Sequence, residues 1–373
     1  MQLAFVNRTA GFTRGGAEIW DLKLAESLRD MGVEVTFYVG RPVFSELPNP
    51  PTEFDYVEVP TPQLRDVAFA APPGIGGLLT DIDSWVFAQR VLDQIRDREY
   101  DIIQVCSRPH FSYFTSKVDP PVTLVMHGTP WSLWYDVLNP FSSSTQLLNS
   151  FDHVITTGTT KEKIEDQVSV GVATVNPGID TEKFTPRPSG EDGKSILFVG
   201  RFVPAKNLFL LLESFESVLE THPESELTLI GDGPLRKRVE RKIGELGINE
   251  RVRLLGPIEN ERLPNYYNEA DVFVLSSAHE SFGIVILEAM SCGTPVVAPT
   301  VGWAPRLIEH GENGLLFDTG SKSQLVEALD RVLDDAELRN RMSERSRQKA
   351  VSGFDWDYRA RELKSIYEEI LSS

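Results

Sequence analysis

The chain has 373 residues, 41% hydrophobic and 25% charged, with 37 Lys and Arg against 55 Asp and Glu for a formal charge of −18. A composition this near the globular average at this length implies two domains with sizeable cores and excludes disordered, collagen-like and disulfide-framework chains. Cys106 and Cys292 allow at most one bridge and no zinc pattern, so a reducing cytosol is expected, with no structural metal and no cofactor.

The acidity comes from abundant carboxylates together with few lysines, 12 against 25 arginines. It suits a soluble protein kept apart by self-repulsion, and equally a halophile's high-salt cytoplasm. Nucleic acid is a poor partner for such a surface, because phosphate binding needs clustered Lys and Arg. The start, Met1-Gln-Leu-Ala-Phe-Val-Asn7, has no charged region followed by a long apolar stretch and reads as a buried strand, not a signal peptide. No apolar run approaches the 18 or so residues that span a bilayer, so a cytoplasmic location is expected.

Short β-branched runs then alternate with amphipathic stretches of helix length, the pattern of parallel sheets covered by helices. In the first half the expected strands are Leu3–Asn7, Glu34–Val39, Tyr56–Val59, Ile102–Val105, Val122–Met126 and His153–Thr157. The clearest helix, Gly16–Met31, places Ile19, Leu22, Leu24, Ala25 and Leu28 at near-helical spacing and stops at Gly32. Residues 185–194, Thr-Pro-Arg-Pro-Ser-Gly-Glu-Asp-Gly-Lys, break the pattern as an interdomain linker would. The series restarts with strands at Ser195–Val199, Leu227–Ile230, Val252–Leu255, Val272–Leu275 and Val296–Ala298, and helices near 206–221, 234–246, 283–291 and 321–352. Trp356–Leu371 reads as a closing helix that packs back on the N-terminal domain. The expected fold is α/β: two Rossmann-like doubly wound domains, 1–185 and 195–352, facing each other across a cleft where ligands meet the carboxyl ends of the strands.

Three loops carry candidate chemistry. The first strand leads into Arg8-Thr-Ala-Gly-Phe-Thr-Arg-Gly-Gly-Ala-Glu18, where Gly15 and Gly16 open a helix. That segment is either a flexible connection or a place where backbone and free amides approach an anion. Strand Ser195–Val199 runs into Gly200-Arg-Phe-Val-Pro-Ala-Lys-Asn207, whose Arg201 and Lys206 are either solvated charges or a clamp for a diphosphate. Strand Val272–Leu275 runs into Ser276-Ser-Ala-His-Glu-Ser-Phe-Gly283 and a helix. Glu280 stands before that helix, and Glu288 stands inside it among Ile284, Val285, Ile286, Leu287 and Ala289, where a carboxylate needs partners. The amides of Phe282, Gly283, Ile284 and Val285 and the helix dipole would attract phosphate or hydroxyl oxygens.

Together, Glu280-x7-Glu288, the Gly200-Arg201…Lys206 loop, the Gly15-Gly16-Ala-Glu18 loop and His127-Gly128 after a strand resemble the retaining nucleotide-sugar glycosyltransferases of family 4, which have the GT-B fold. The segments Gly231-Asp-Gly-Pro-Leu235 and Asn313-Gly-Leu-Leu-Phe317 extend the resemblance over essentially the whole chain. It implies that Arg201 and Lys206 hold the donor diphosphate, that Glu288 bonds the ribose hydroxyls, and that Glu280 and the amides of Phe282, Gly283 and Ile284 face the transferred sugar. It also implies that Gly15 and Gly16 lie under the phosphates, that His127 meets the sugar, and that Gly256–Arg262 lies beside the base. A histidine ending a strand is otherwise an ordinary structural residue.

The implied reaction is metal-independent hexosyl transfer with retention to a glycan, lipid-linked or small-molecule acceptor. Arg201, Lys206 and the loop amides would stabilise the leaving diphosphate, and His127, Arg201, Lys206 and Glu280 would form the catalytic set. A nucleotide-sugar epimerase or sugar-phosphate synthase of the same fold is an alternative, as is a non-catalytic sugar-nucleotide-binding partner; a glycosidase is disfavoured by the glycine-rich and basic loops. Acceptor choice is expected in Thr61–Asp83 and around Trp131, Trp134, Tyr135 and Phe141, aromatics that either pack in a core or touch sugar or lipid at the inner face of the membrane. The two domains are expected to close on substrate.

Overall fold

The computed structural model describes residues 1–10, 16–42, 54–62, 73–106, 115–127, 144–187, 194–280 and 282–373. Gly15, Gly128 and the cluster Trp131, Trp134, Tyr135 and Phe141 lie outside them, as do 63–72 of the Thr61–Asp83 stretch. The chain divides into two compact units, Met1–Pro177 with Trp356–Ser373, and Gly178–Asp355. Chain thus passes between units at Pro177–Gly178, ahead of residues 185–194, which fall inside the second unit.

In the first unit, strands β1 (Gln2–Val6), β2 (Glu34–Pro42), β3 (Asp55–Thr61), β4 (Ile102–Cys106), β5 (Val122–Met126), β6 (His153–Thr156) and β7 (Gly171–Thr174) form one sheet. Their order is 3-2-1-4-5-6-7 and every pairing is parallel. Helices α1 (Gly16–Asp30), α2 (Pro73–Ile95), α3 (Ser144–Leu148) and α4 (Lys161–Ile164) connect them. The strands are apolar on both faces because both are covered. Ala4, Val6, Ile103, Val105 and Leu124 pack with Phe87 and Val91 of α2, and Leu3, Phe5, Phe37 and Ile102 pack with Trp20, Leu24 and Leu28 of α1.

The second unit repeats the plan with β8 (Ser195–Val199), β9 (Glu226–Ile230), β10 (Val252–Leu255), β11 (Val272–Val274), β12 (Val296–Pro299) and β13 (Leu315–Phe317), all parallel in the order 10-9-8-11-12-13. Its helices are α5 (Leu208–Thr221), α6 (Arg236–Leu246), α7 (Leu263–Glu269), α8 (Ile284–Cys292), α9 (Ala304–Leu307), α10 (Lys322–Asp334) and α11 (Ala336–Gly353). The stretch 321–352, expected as helix, is two helices. Asp335 between them is extended, at φ −109° and ψ 95°, and its carboxylate caps α11 by accepting from Leu338 N–H at 2.8 Å.

The final helix, α12 (Trp356–Ser372), returns to the first unit and lies along α1, with Trp356, Ala360, Leu363 and Tyr367 buried beside Trp20 and Leu24. Cys106 and Cys292 are both free thiols, one in each unit. Among the described residues no helix is long and apolar enough to cross a membrane.

Candidate functional site

Each sheet reverses its strand order once, between β1 and β4 in the first unit and between β8 and β11 in the second. Open α/β sheets bind ligands beyond the carboxyl ends of the strands at such a reversal. Arg201 and Lys206 follow β8, and Glu280 follows β11, so the sequence motif sits at the second unit's reversal.

The loop after β8 is shaped by the one after β9. Gly200 N–H donates to Ile230 O at 3.0 Å, Phe202 N–H to Asp232 O at 2.8 Å, and Leu235 N–H to Phe202 O at 3.0 Å. This close approach explains the glycine of Gly231-Asp-Gly-Pro. Gly231 has φ +136°, and a Cβ there would sit 2.0 Å from Gly200 O. The turn ends on Asn207, whose φ of +47° is the left-handed conformation of a non-glycine residue.

Backbone contacts then lace this turn to the loop after β11. Ala278 N–H donates to Ala205 O at 2.8 Å, and Ser276 Oγ donates to Lys206 O at 2.8 Å. The same contacts bring Lys206 Nζ into an ion pair with Glu280 Oε2. Both side chains are mostly covered, at 17% and 16% exposed. Arg201 is exposed, and its guanidinium makes no hydrogen bond or ion pair with the described residues. Thus two of the four candidate catalytic residues are joined, and a third stands on the same loop as Lys206.

Gly283, at φ +85°, turns the chain into α8, and Ile286 N–H donates to its carbonyl oxygen at 2.8 Å. The amides of Ile284 and Val285 lie where a helix runs out of internal acceptors. Phe282 is buried against Trp303, with ring centres 5.2 Å apart, which anchors the segment below the loop. Glu288 lies in the second turn of α8 and is only 6% exposed. Its Oε2 accepts from Tyr267 Oη at 2.7 Å, and the side chain of Asn260 and the charge of Lys183 also favour its ionised form. Burial outweighs these and pushes the carboxyl up to about 7. The sequence reading identified Glu288 as needing partners but not which. Tyr267, Asn260 and Lys183 come from other segments, and no local spacing relates them to α8.

His127 directly follows β5 in the first unit. Its ring meets Trp20 edge-on at 5.1 Å, and its Nε2 is buried without a hydrogen-bond partner among the described residues. Burial pulls its pKa down to about 4, against a smaller opposing effect of Glu18. His127 is therefore a neutral imidazole at pH 7. In the same unit, Asn7, Asp21 and Gln104 form a buried hydrogen-bonded group that the sequence reading did not identify. Asp21 was legible as a helix residue, but nothing in a helical repeat marks it as buried. Among the described residues no cluster of His, Cys, Asp and Glu has a geometry that could hold a metal ion.

Two family models match in tandem: Glycosyltransferase Family 4 over residues 14–183, and Glycosyl transferases group 1 over residues 180–349. A D-inositol 3-phosphate glycosyltransferase of Corynebacterium jeikeium is 35% identical over 224 residues, 55% of this chain and 53% of that protein. The chain thus aligns with about half the length of such curated relatives. Among solved structures, a sucrose-phosphate synthase from Thermosynechococcus elongatus superposes with a TM-score of 0.77 at 20% identity, covering 100% of this chain and 99% of that one. HepE of Anabaena, solved in complex with UDP-glucose, gives 0.75 at 20% identity, covering 99% and 100%. With two Rossmann-like units of parallel sheet and these matches along almost its whole length, the chain belongs with the GT-B glycosyltransferases of the family 4 type.

Proposed function

We propose that this protein transfers a hexose from a nucleoside-diphosphate sugar to a hydroxyl of a glycan, lipid-linked or small-molecule acceptor, with retention at the anomeric carbon and without a metal ion. The observation that carries the reading is the arrangement beyond β8 and β11. Exposed Arg201, whose guanidinium has no partner among the described residues, shares a loop with Lys206, and Lys206 is held against Glu280 at the approach to α8. That HepE has been solved with UDP-glucose supports a donor of this class.

In the reaction the bond between the anomeric carbon and the diphosphate oxygen breaks, and its electron pair leaves on the phosphate. The acceptor oxygen bonds to the same face of that carbon, and its proton passes to the departing phosphate oxygen. Negative charge grows on the diphosphate, where a guanidinium and an ammonium fixed in advance stabilise it more than they stabilise the ground state. These two cations take the place that a divalent ion would otherwise fill. Glu280 accepts hydrogen bonds from sugar hydroxyls and orients the ring; it is not a nucleophile in this scheme. Glu288, already held by Tyr267, receives the ribose hydroxyls. Neutral His127 offers the sugar a hydrogen bond and adds no charge.

The test is a thermal-shift panel of UDP, GDP, ADP and their sugars in EDTA, at low and high KCl, with wild type, Arg201→Ala and Glu288→Gln. One nucleotide family is expected to stabilise wild type and to stabilise both variants less. Product analysis with that donor and an acceptor series then reads transfer and anomeric configuration. No stabilisation by any nucleotide in a folded sample would overturn the proposal, and donor turnover without consumption of an acceptor would replace it with an epimerase.

A further inference from the structure

An unbroken run of hydrogen bonds crosses the first unit from α12 to the loop that enters α1. Tyr367 donates its hydroxyl to Gln104 Oε1 on β4. Gln104 Nε2 donates to Asp21 Oδ1 on α1 at 3.0 Å, and the other oxygen of Asp21 accepts from Asn7 Nδ2 at 2.5 Å. Asn7 Oδ1 in turn accepts from the backbone N–H of Thr9 at 3.1 Å. The run ends at α1, where the Thr9 hydroxyl donates to Glu18 Oε1 at 2.5 Å. Tyr367, Asp21, Gln104 and Asn7 are all buried.

These groups sit within an apolar cluster that includes Phe5, Trp20, Leu24 and Leu363. Burying so many polar atoms gives no clear gain in stability over apolar side chains of similar volume. What the polar set adds is direction. Asp21 accepts from two amides, so both must turn their NH2 groups toward it. Gln104 then presents its carbonyl to Tyr367, and Asn7 presents its carbonyl to the loop at Thr9. With both amides reversed, two carbonyl oxygens would face Asp21, and its carboxyl, which carries at most one proton, could satisfy only one of them. Asn7 stands just beyond β1 at the strand-order reversal, so the orientation fixed at Tyr367 is delivered to the first residues of the loop.

We propose that Tyr367 is a positioning residue: through Gln104, Asp21 and Asn7 it holds Thr9, at the start of the loop after β1, against Glu18 in the first turn of α1, the helix start that would meet the donor's phosphates. The mechanical part stands on these contacts alone, and the clause about phosphates rests on the transfer reading above.

Tyr367→Phe tests it, since the ring stays in the cluster and only the hydroxyl is lost. Hydrogen exchange of the full chain without ligand is expected to speed up about tenfold at Thr9, Ala10 and the first turn of α1, with Leu197–Val199 in the second unit unchanged. In an Asn7→Ala background, which already lacks the last link, Tyr367→Phe should add nothing further at the loop. Unchanged exchange in the single variant, or additive effects in the double variant, would overturn the proposal. Calorimetry with whichever of UDP, GDP and ADP binds wild type supplies the second readout. A roughly fivefold weaker Kd in Tyr367→Phe is expected, and an unaltered Kd beside faster exchange would overturn the role in phosphate presentation. Failure of wild type to bind any of the three would sink the transfer reading instead, and the exchange data would still decide the run of hydrogen bonds.

Discussion

Lys206 and Glu280, 74 residues apart in the chain, form a largely covered ion pair at the ends of two neighbouring strands. In this state each neutralises the other, so on the transfer reading proposed above a donor diphosphate would compete with Glu280 for the ammonium. The pair is thus a pre-positioned cation whose partner is the carboxylate proposed above to orient the sugar.

Lys206→Ala should therefore lower kcat about 100-fold, the size of effect typical when one fixed donor to a developing negative charge is removed. Lys206→Arg should recover only part of it, because a planar fork does not reproduce the point charge beside Glu280. Steady-state kinetics with saturating acceptor read both, and a Lys206→Ala enzyme with unaltered kcat would remove Lys206 from the catalytic set.

Glu288 and Asp21 are both raised by burial to about 7. A carboxyl raised on folding holds its proton longer in the native state, so its favourable contribution is complete below its unfolded pKa near 4 and is lost as pH climbs through 7. Wild-type stability should fall across that window. Glu288→Gln should escape its share, so that the difference in Tm between variant and wild type grows in the variant's favour from pH 5 to 7 and is level above 8. Calorimetry across that range checks the sign, and a flat difference would show that Glu288 is ionised in the native state throughout.

His127 carries the opposite sign. Its pKa is lowered to about 4, so the unfolded chain takes up its proton first and stability drops as pH falls from about 6.5 to 4. Nitrogen-detected NMR should show the ring neutral at pH 6, where an ordinary histidine is more than half charged. His127→Gln should remove this acid-side loss and keep a hydrogen-bonding side chain. Activity above pH 5 should show no limb that His127→Gln abolishes.

Gly231 and Gly247 separate crowding from backbone strain. Both have positive φ, but a Cβ on Gly231 would strike Gly200 O, whereas Gly247 has open space around it. Gly247→Ala should cost about 1 kcal/mol, the ordinary penalty of a left-handed residue. Gly231→Ala should cost more, about 3 kcal/mol, and should weaken nucleotide binding by pushing Gly200 and Arg201 out of place. Denaturant unfolding together with calorimetry distinguishes the two, and equal costs would show that the loops after β8 and β9 yield easily.

Central strands and the amphipathic α1 were legible because their signal is local: a buried parallel strand needs a β-branched run, and a half-buried helix needs a 3.6-residue repeat. Edge strands β7 and β13 were not expected. They read Gly-Val-Ala-Thr and Leu-Leu-Phe, without the β-branched run that marked the other strands. Helix α2 begins at Pro73-Gly-Ile-Gly-Gly, residues that argue for a loop, and it forms against that preference because Phe87, Val91 and Ile95 gain a core. The site divides in the same way. Arg201, Lys206, Glu280 and Glu288 stand in loop and helix motifs that spacing exposes. Tyr267, which satisfies Glu288, and Tyr367, 263 residues from Gln104, become neighbours only through tertiary packing.

The return of α12 to the first unit also sets the order in which the chain becomes complete during synthesis. Trp20, Leu24 and Leu28 leave the ribosome early, yet the helix that covers them follows only after all of Gly178–Asp355 has been made. At about 5–20 residues per second that delay is on the order of 10–40 s. The second unit can finish folding while the first still shows an uncovered apolar stripe, so the half that is synthesised first is the half that matures last.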